Sequence, residues 1–252
     1  VKGLIPLEID KAIAVVGTRK CSEEGKRFAE MAVDQLAKNG FPLVSGMALG
    51  IDTAAHKAAV LYGLKSVAVF AHGLERIHPK SNIRLAQEII EKGGAWISEH
   101  PPGTKVLKWM FAARNRILVG LCAGTVLAES PASGGSMISL KLALGYGRAT
   151  YAFQPPNAYM KRWDGNRLVI EDNKGFAIKT MAQWMKKLYK EVPAMKRSKL
   201  EINEAKKMAK ASLESALSLI PNPCKSVYKE VSLRTISALD LSKQLKTDIK
   251  TI

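Results

Sequence analysis

Six short apolar runs, at residues 12–16, 41–45, 66–70, 95–98, 125–128 and 149–153, alternate with stretches of helical composition. Most of these runs are apolar at every position rather than at every second one, as strands are when helices cover both faces of a sheet. The alternation predicts an α/β chain with a doubly wound parallel sheet. The expected helices lie at 22–39, 53–62, 83–91, 107–121 and 137–146. Ser22 is placed to cap the first, with Glu23 and Glu24 in its opening turn and Phe28, Met31, Ala32 and Leu36 as its buried stripe. Gly63 and the Gly93-Gly94 pair mark two helix ends, and residues 1–11 read as a tail.

In such a fold ligands bind outside the carboxyl ends of the strands. The sequence concentrates its unusual loops there, above all Ser45-Gly-Met-Ala-Leu-Gly-Ile-Asp52, between the run Phe41-Pro-Leu-Val44 and the alanine-rich stretch from Thr53. A strand feeding a glycine turn that opens a helix presents free N–H groups and the positive end of a helix dipole. Gly46 and Gly50 remove the Cβ atoms that would hold an anion away, and the Ser45 hydroxyl adds a donor to the same nest. The same turn could equally serve backbone geometry alone.

Charge narrows the ligand class. The 252 residues carry 39 Lys and Arg against 22 Asp and Glu, a net charge of +17. That excess favours a polyanionic partner, nucleic acid rather than membrane, since no strongly amphipathic terminal helix is evident. No apolar run reaches the ~18 residues of a membrane span, and the N-terminus lacks a signal-peptide layout, so the expected location is the cytosol, with reduced thiols at Cys21, Cys122 and Cys224.

Individual residues sharpen this. Arg19 leaves the first apolar run beside a glycine turn, where a guanidinium can hold a phosphate through two hydrogen bonds, or pair with Glu23. Lys108, Phe111, Arg114 and Arg116 fall on one helical segment, and positions 108, 111 and 115 share a face. A lysine, a ring and Asn115 there make a stacking platform beside a phosphate clamp, suited to single strands because every base has a π face; alternatively Phe111 is core and Asn115 caps a turn. Gly135 and Ser136 stand at a helix start and add an amide contact. Asp52 and His56, at i and i+4, read as a helix-surface pair rather than an acid–base or metal site, and no Walker lysine follows either glycine loop. No metal or cofactor is expected.

Six blocks, Val16-Gly-Thr-Arg19, Ser45 to Asp52 with Ala55-His56, His78-Pro79 with Asn82 and Leu85, Ser98-Glu99-His-Pro-Pro-Gly103, Phe111-Ala-Ala-Arg-Asn-Arg116 and Gly135-Ser-Met-Ile-Ser139, resemble the DprA/Smf family in order and spacing over roughly residues 12–154. The resemblance implies an extended Rossmann-like domain that binds single-stranded DNA, dimerises, and helps load RecA recombinase onto incoming DNA in natural transformation, without catalysis. It also implies that Arg19, Lys108 and Phe111 match DNA-contacting positions. Two departures lie at the rim: Gln154-Pro155-Pro156-Asn157 where the family has Pro-Gly, and a doubled glycine at Gly134-Gly135. The alternative on the same scaffold is a phosphoribohydrolase-like nucleotide hydrolase, suggested by Glu129 before a glycine-rich turn, although the proline and downstream Glu of those enzymes are missing.

Beyond residue 155 the pattern changes. A loop is expected to Gly175, then a helix over 176–190 with Lys186, Lys187 and Lys190 near its end, and a linker at 193–199. This divides the chain into a Rossmann-like domain, 1–192, and a helical C-terminal appendage, 193–252, with a helix near 200–219. Residues 237–250 look like the first helix and turn of a winged helix, or a plain helical tail.

Overall fold

The computed structural model describes residues 1–155 and 160–192. Each apolar run is a strand: β2 (Ile13–Val16), β3 (Leu43–Ser45), β4 (Ser66–Val69), β5 (Ala95–Ile97), β6 (Gly124–Leu127) and β7 (Ala149–Phe153). The connecting helices are α1 (Glu23–Lys38), α2 (Ile51–Leu61), α3 (Ile83–Glu91), α4 (Lys108–Ala113), α5 (Asn115–Gly120) and α6 (Gly135–Gly145). Two edge strands, β1 (Lys2–Gly3) and β8 (Phe176–Ile178), and two further helices, α7 (Asp164–Glu171) and α8 (Met181–Glu191), complete the described part.

The strands form one eight-stranded sheet in the order β1-β5-β4-β3-β2-β6-β7-β8, antiparallel only where β1 meets β5. Chain order runs outward from β2 through β3, β4 and β5, then returns to the other side of β2 with β6, β7 and β8. The reversal falls between β2 and β6, paired from Ile13↔Gly124 to Val16↔Leu127. Loops leaving the carboxyl ends of these neighbours diverge to opposite faces and open a crevice, which is where ligands sit in sheets of this kind.

Burial on both faces is visible along β2. Ile13 and Val15 pack with Ala29, Val33 and Leu36 of α1 and with Trp184 and Leu188 of α8, whereas Ala14 and Val16 pack with Leu118, Leu140 and Val169 on the other side. Each of the valine, leucine and isoleucine side chains removed from water here contributes about 1.5–3 kcal/mol, and the alanines less, before the entropy of ordering is charged against it. Ser22 caps α1, its Oγ accepting the Gly25 N–H at 3.1 Å, as its position and side chain predict.

Local pattern misleads in four places. Met31 is 40% exposed, because the face of α1 that packs is set by Ala29, Ala32, Val33 and Leu36. Residues 1–11 are more than a tail: Lys2–Gly3 pairs with β5, and the Lys2 ammonium lies over the Trp96 ring at 4.5 Å. The polar stretch before Gly175 contains α7, preceded by the buried Trp163 that meets Phe28 edge-on at 5.8 Å. Finally, the expected helix over 176–190 begins only at Met181, where Thr180 accepts the Gln183 N–H; Phe176–Ile178 is strand, drawn into register against β7. The expectations for Pro156-Asn157, the linker, Cys224, the 200–219 helix, the 237–250 segment and the domain division fall outside the described residues.

Candidate nucleic-acid interface

After Val16 the chain turns at Gly17 and is fastened on two sides, because Thr18 N–H donates to the Glu129 carbonyl at 2.8 Å and Thr18 O accepts from Ile51 N–H at 3.2 Å. That fastening brings the loops after β2 and β6 and the start of α2 together. It leaves Arg19 exposed at the lip, unpaired with Glu23, its guanidinium carbon 5.3 Å from the centre of the Phe111 ring. Such stacking leaves the edge of the guanidinium fork able to donate to a phosphate.

The expected helix over 107–121 is two short helices joined through Arg114, whose own backbone is helical. Along the face shared by Lys108, Phe111 and Asn115 burial rises stepwise: Lys108 is exposed, Phe111 half-buried and Asn115 buried. These three, Arg19, and Gly135 and Ser136 in the first turn of α6 line one cavity of about 480 Å³ at the β2–β6 crevice. The first turn of a helix carries amides without intrahelical partners, so this wall offers N–H donors to an anion. Arg19, Lys20 and Lys108 give the opening a positive lip.

Other candidates turn out to hold the site's walls. The Ser45 hydroxyl is fully buried and donates to the Val15 carbonyl at 2.7 Å. The Gly46 N–H is engaged by the carboxylate of Asp52 at 3.1 Å, as is the Ala48 N–H at 3.3 Å, so the expected anion nest is filled by the protein's own anion. Gly46 is needed because a Cβ there would run into the Arg114 guanidinium, and Gly50 because its φ of 79° puts any Cβ against the Thr18 carbonyl.

Arg114, expected beside a phosphate, does line the same cavity, but it is only 5% exposed and its guanidinium is engaged within the protein. Its Nη1 donates to the carbonyls of Gly46, at 2.7 Å, and Val69, and its Nε to Asn115 Oδ1 at 3.2 Å. It pins the α4–α5 junction to the ends of β3 and β4, and the carbonyls replace the water a buried guanidinium loses. Desolvation lowers its pKa while Asp52 raises it. Burial in turn pushes the Asp52 carboxyl up to about 6, against Arg114 and the two amides. Arg116 is exposed and ion-paired with Glu99, outside the cavity lining. The Ser136 hydroxyl donates to Ser130 Oγ at 2.7 Å, leaving its backbone as the part that can meet a ligand.

Asp52 and His56 are not a surface pair: both are buried, and burial lowers the His56 pKa to about 4, so its imidazole is neutral. Glu129, the residue that suggested a hydrolase, is fully buried and accepts from Ser22 N–H at 2.9 Å and Ser22 Oγ at 2.6 Å. It anchors the start of α1. Among the described residues no cluster of three His, Cys, Asp or Glu could hold a metal, and no helix is long and apolar enough to cross a membrane. Sequence reasoning left His78 without a role, yet its ring lies 5.8 Å from that of Phe111. The signal was its place in the His78-Pro79 block.

Fold and site together define a doubly wound α/β protein of the Rossmann-like class, with a cationic, ring-bearing crevice at the switch point of its sheet. Residues 1–189 match the family described as DNA recombination-mediator protein A, and the chain belongs to that DprA/Smf family. It is 43% identical over 151 residues to DNA processing protein DprA of Streptococcus pneumoniae, covering 60% of this chain and 53% of that one. The X-ray structure of the S. pneumoniae protein superposes with a TM-score of 0.64 at 37% identity, over 71% of this chain and 62% of that one. DNA processing protein A from Helicobacter pylori, whose structure was described for its single-stranded DNA binding mode, gives a TM-score of 0.67 at 26% identity, over 75% and 86%. The chain spans about half the length, or less, of the curated relatives it matches.

Proposed function

We propose that this chain is a non-catalytic, cytosolic single-stranded DNA-binding protein that protects incoming DNA and, as a homodimer, helps load a RecA-type recombinase. One observation carries the DNA-binding part: Arg19 over Phe111, with Lys108 one turn away on α4 and the first turn of α6 lining the same cavity. A ring for a base, two cations and a row of amides for phosphates are the elements a strand needs when its bases are unpaired. A duplex keeps its bases inside and can use this site only after unpairing. The H. pylori relative, described for single-stranded DNA binding, supports the same reading. The engagement of Glu129 by Ser22 counts against a hydrolase.

The test is competition for a bound, labelled oligo-dT by unlabelled single strand and duplex at matched length and salt. Single strand is expected to displace the label and duplex to do so poorly, with log affinity falling with log salt at about −0.7 per phosphate neutralised. Equal displacement by duplex would reject the crevice as the DNA site. Release of free base from any of a panel of nucleoside monophosphates would restore the enzyme reading.

A further inference from the structure

Of the four tryptophans, Trp96, Trp163 and Trp184 are at most 4% exposed, whereas Trp109 is 60% exposed. An indole left in water gives up one of the largest burial gains a side chain offers. Among the described residues nothing compensates, since the Trp109 side chain has no hydrogen bond, no ring against it and no cation over its face. Its neighbour in the chain is Lys108, on the lip of the crevice. Each residue of α4 advances about 100° around the helix, so Lys108 stands between Phe111, about 60° to one side, and Trp109, about 100° to the other. Phe111 and Lys108 line the crevice, and Trp109 adjoins them from outside that lining. Lys105 and Lys108 are exposed and have no ion pair among the described residues, and residues 100–128 contain no Asp or Glu.

We infer that Trp109 is a second stacking platform for single-stranded nucleic acid, taking the base of a nucleotide that has left the crevice past Lys108. This role rests on the crevice being the DNA site and carries the bound strand beyond it. A cation between two rings matches what a single strand presents in return, a phosphate between two unpaired bases. A protein partner would need about 800 Å² on this side, whereas the exposed apolar side chain adjoining Trp109 in the chain is Leu107, at 40%. One open ring among unpaired cations suits a flat base that carries its phosphate with it.

The experiment follows tryptophan emission while oligo-dT of about 10 nucleotides, within the range of one site, is added. The other three indoles are shielded, so a base stacking on Trp109 should quench the emission, and the quenching should saturate together with binding read from a labelled strand. Trp109→Phe should bind nearly as tightly as the wild type and lose the quenching. Trp109→Ala should bind about tenfold more weakly with an unchanged salt slope, because a ring is removed and no phosphate contact is. Lys108→Ala, in contrast, should make the slope shallower by about 0.7. Full binding of the strand by the wild type without quenching, and by Trp109→Ala without loss, would overturn the role of Trp109 and leave the crevice standing. A shallower slope in Trp109→Ala that Trp109→Phe does not restore would also overturn it, by making the indole a support for Lys108. So would a change in the sedimentation of the DNA-free protein in Trp109→Ala with strand affinity intact, which would assign the ring to a contact between copies of the chain. Failure of the wild type to bind oligo-dT at all would overturn the crevice as the DNA site and the role of Trp109 with it.

Discussion

The Arg19 guanidinium stacks on Phe111 at 5.3 Å although the two residues belong to a loop and a helix far apart in sequence, and this pairing gives the crevice both a cation and a ring in one place. Phe111 is half-buried, so its ring keeps a surface for a base. Phe111→Ala is expected to cost on the order of 1–3 kcal/mol of single-strand affinity in a titration, with a small change in melting temperature. A melting loss of the size seen for an emptied core position, several kcal/mol, would instead make the ring part of the core.

Arg114 should behave in the opposite way. Arg114→Met removes the donors to the Gly46 and Val69 carbonyls and leaves Asp52 buried without its compensating charge. Breaking such an arrangement typically costs about 3–5 kcal/mol. Urea unfolding should report a loss of that order. A variant of unaltered stability that binds DNA poorly would mean that Arg114 meets phosphate directly.

Asp52 imposes a pH dependence whose sign follows from its raised pKa. Its folded value, about 6, stands above the ordinary 3.8, so the native state holds the proton more tightly than the unfolded chain. The stabilisation from this group is therefore complete below the unfolded value and is lost as pH rises through the folded one. The difference in unfolding free energy between the wild type and Asp52→Asn, followed from pH about 4 to about 7, should drift against the wild type by up to roughly 3 kcal/mol. Other carboxyls cancel in the difference. A flat difference would show that the amides of Gly46 and Ala48 with Arg114 hold the carboxyl near its ordinary value.

Two helix caps make a matched pair. Ser22 accepts the Gly25 N–H and also donates to the buried Glu129, whereas Thr180 caps α8 at an exposed position with one hydrogen bond. Thr180→Ala should cost about 1 kcal/mol. Ser22→Ala should cost more, about 2–3 kcal/mol, because Glu129 loses its hydroxyl partner in the interior. Equal losses in thermal or urea unfolding would mean that the Ser22–Glu129 hydrogen bond contributes nothing net.

What the sequence by itself determined is whatever depends on neighbours along the chain. The apolar runs that became β2 to β7, the cap at Ser22 and the parallel α/β class follow from periodicity and capping chemistry, and so does the placing of the loops at one end of the sheet. Arg19, Lys108 and Phe111 were legible as candidates because each stands on a rim element whose position the strand order implies, and the structure brings all three to the lining of one crevice. Only the tertiary structure decided which polar groups would be used internally. Arg114 and Arg116 stand two residues apart, yet one is buried against the ends of two strands and the other ion-paired at the surface. Ser45, Gly46 and Asp52 look like an anion nest locally and close on themselves only once Arg114 and β2 are brought against them. The strands β1 and β8 were invisible for the same reason: a two- or three-residue segment has too little pattern of its own and becomes a strand only because a neighbouring edge supplies its hydrogen bonds.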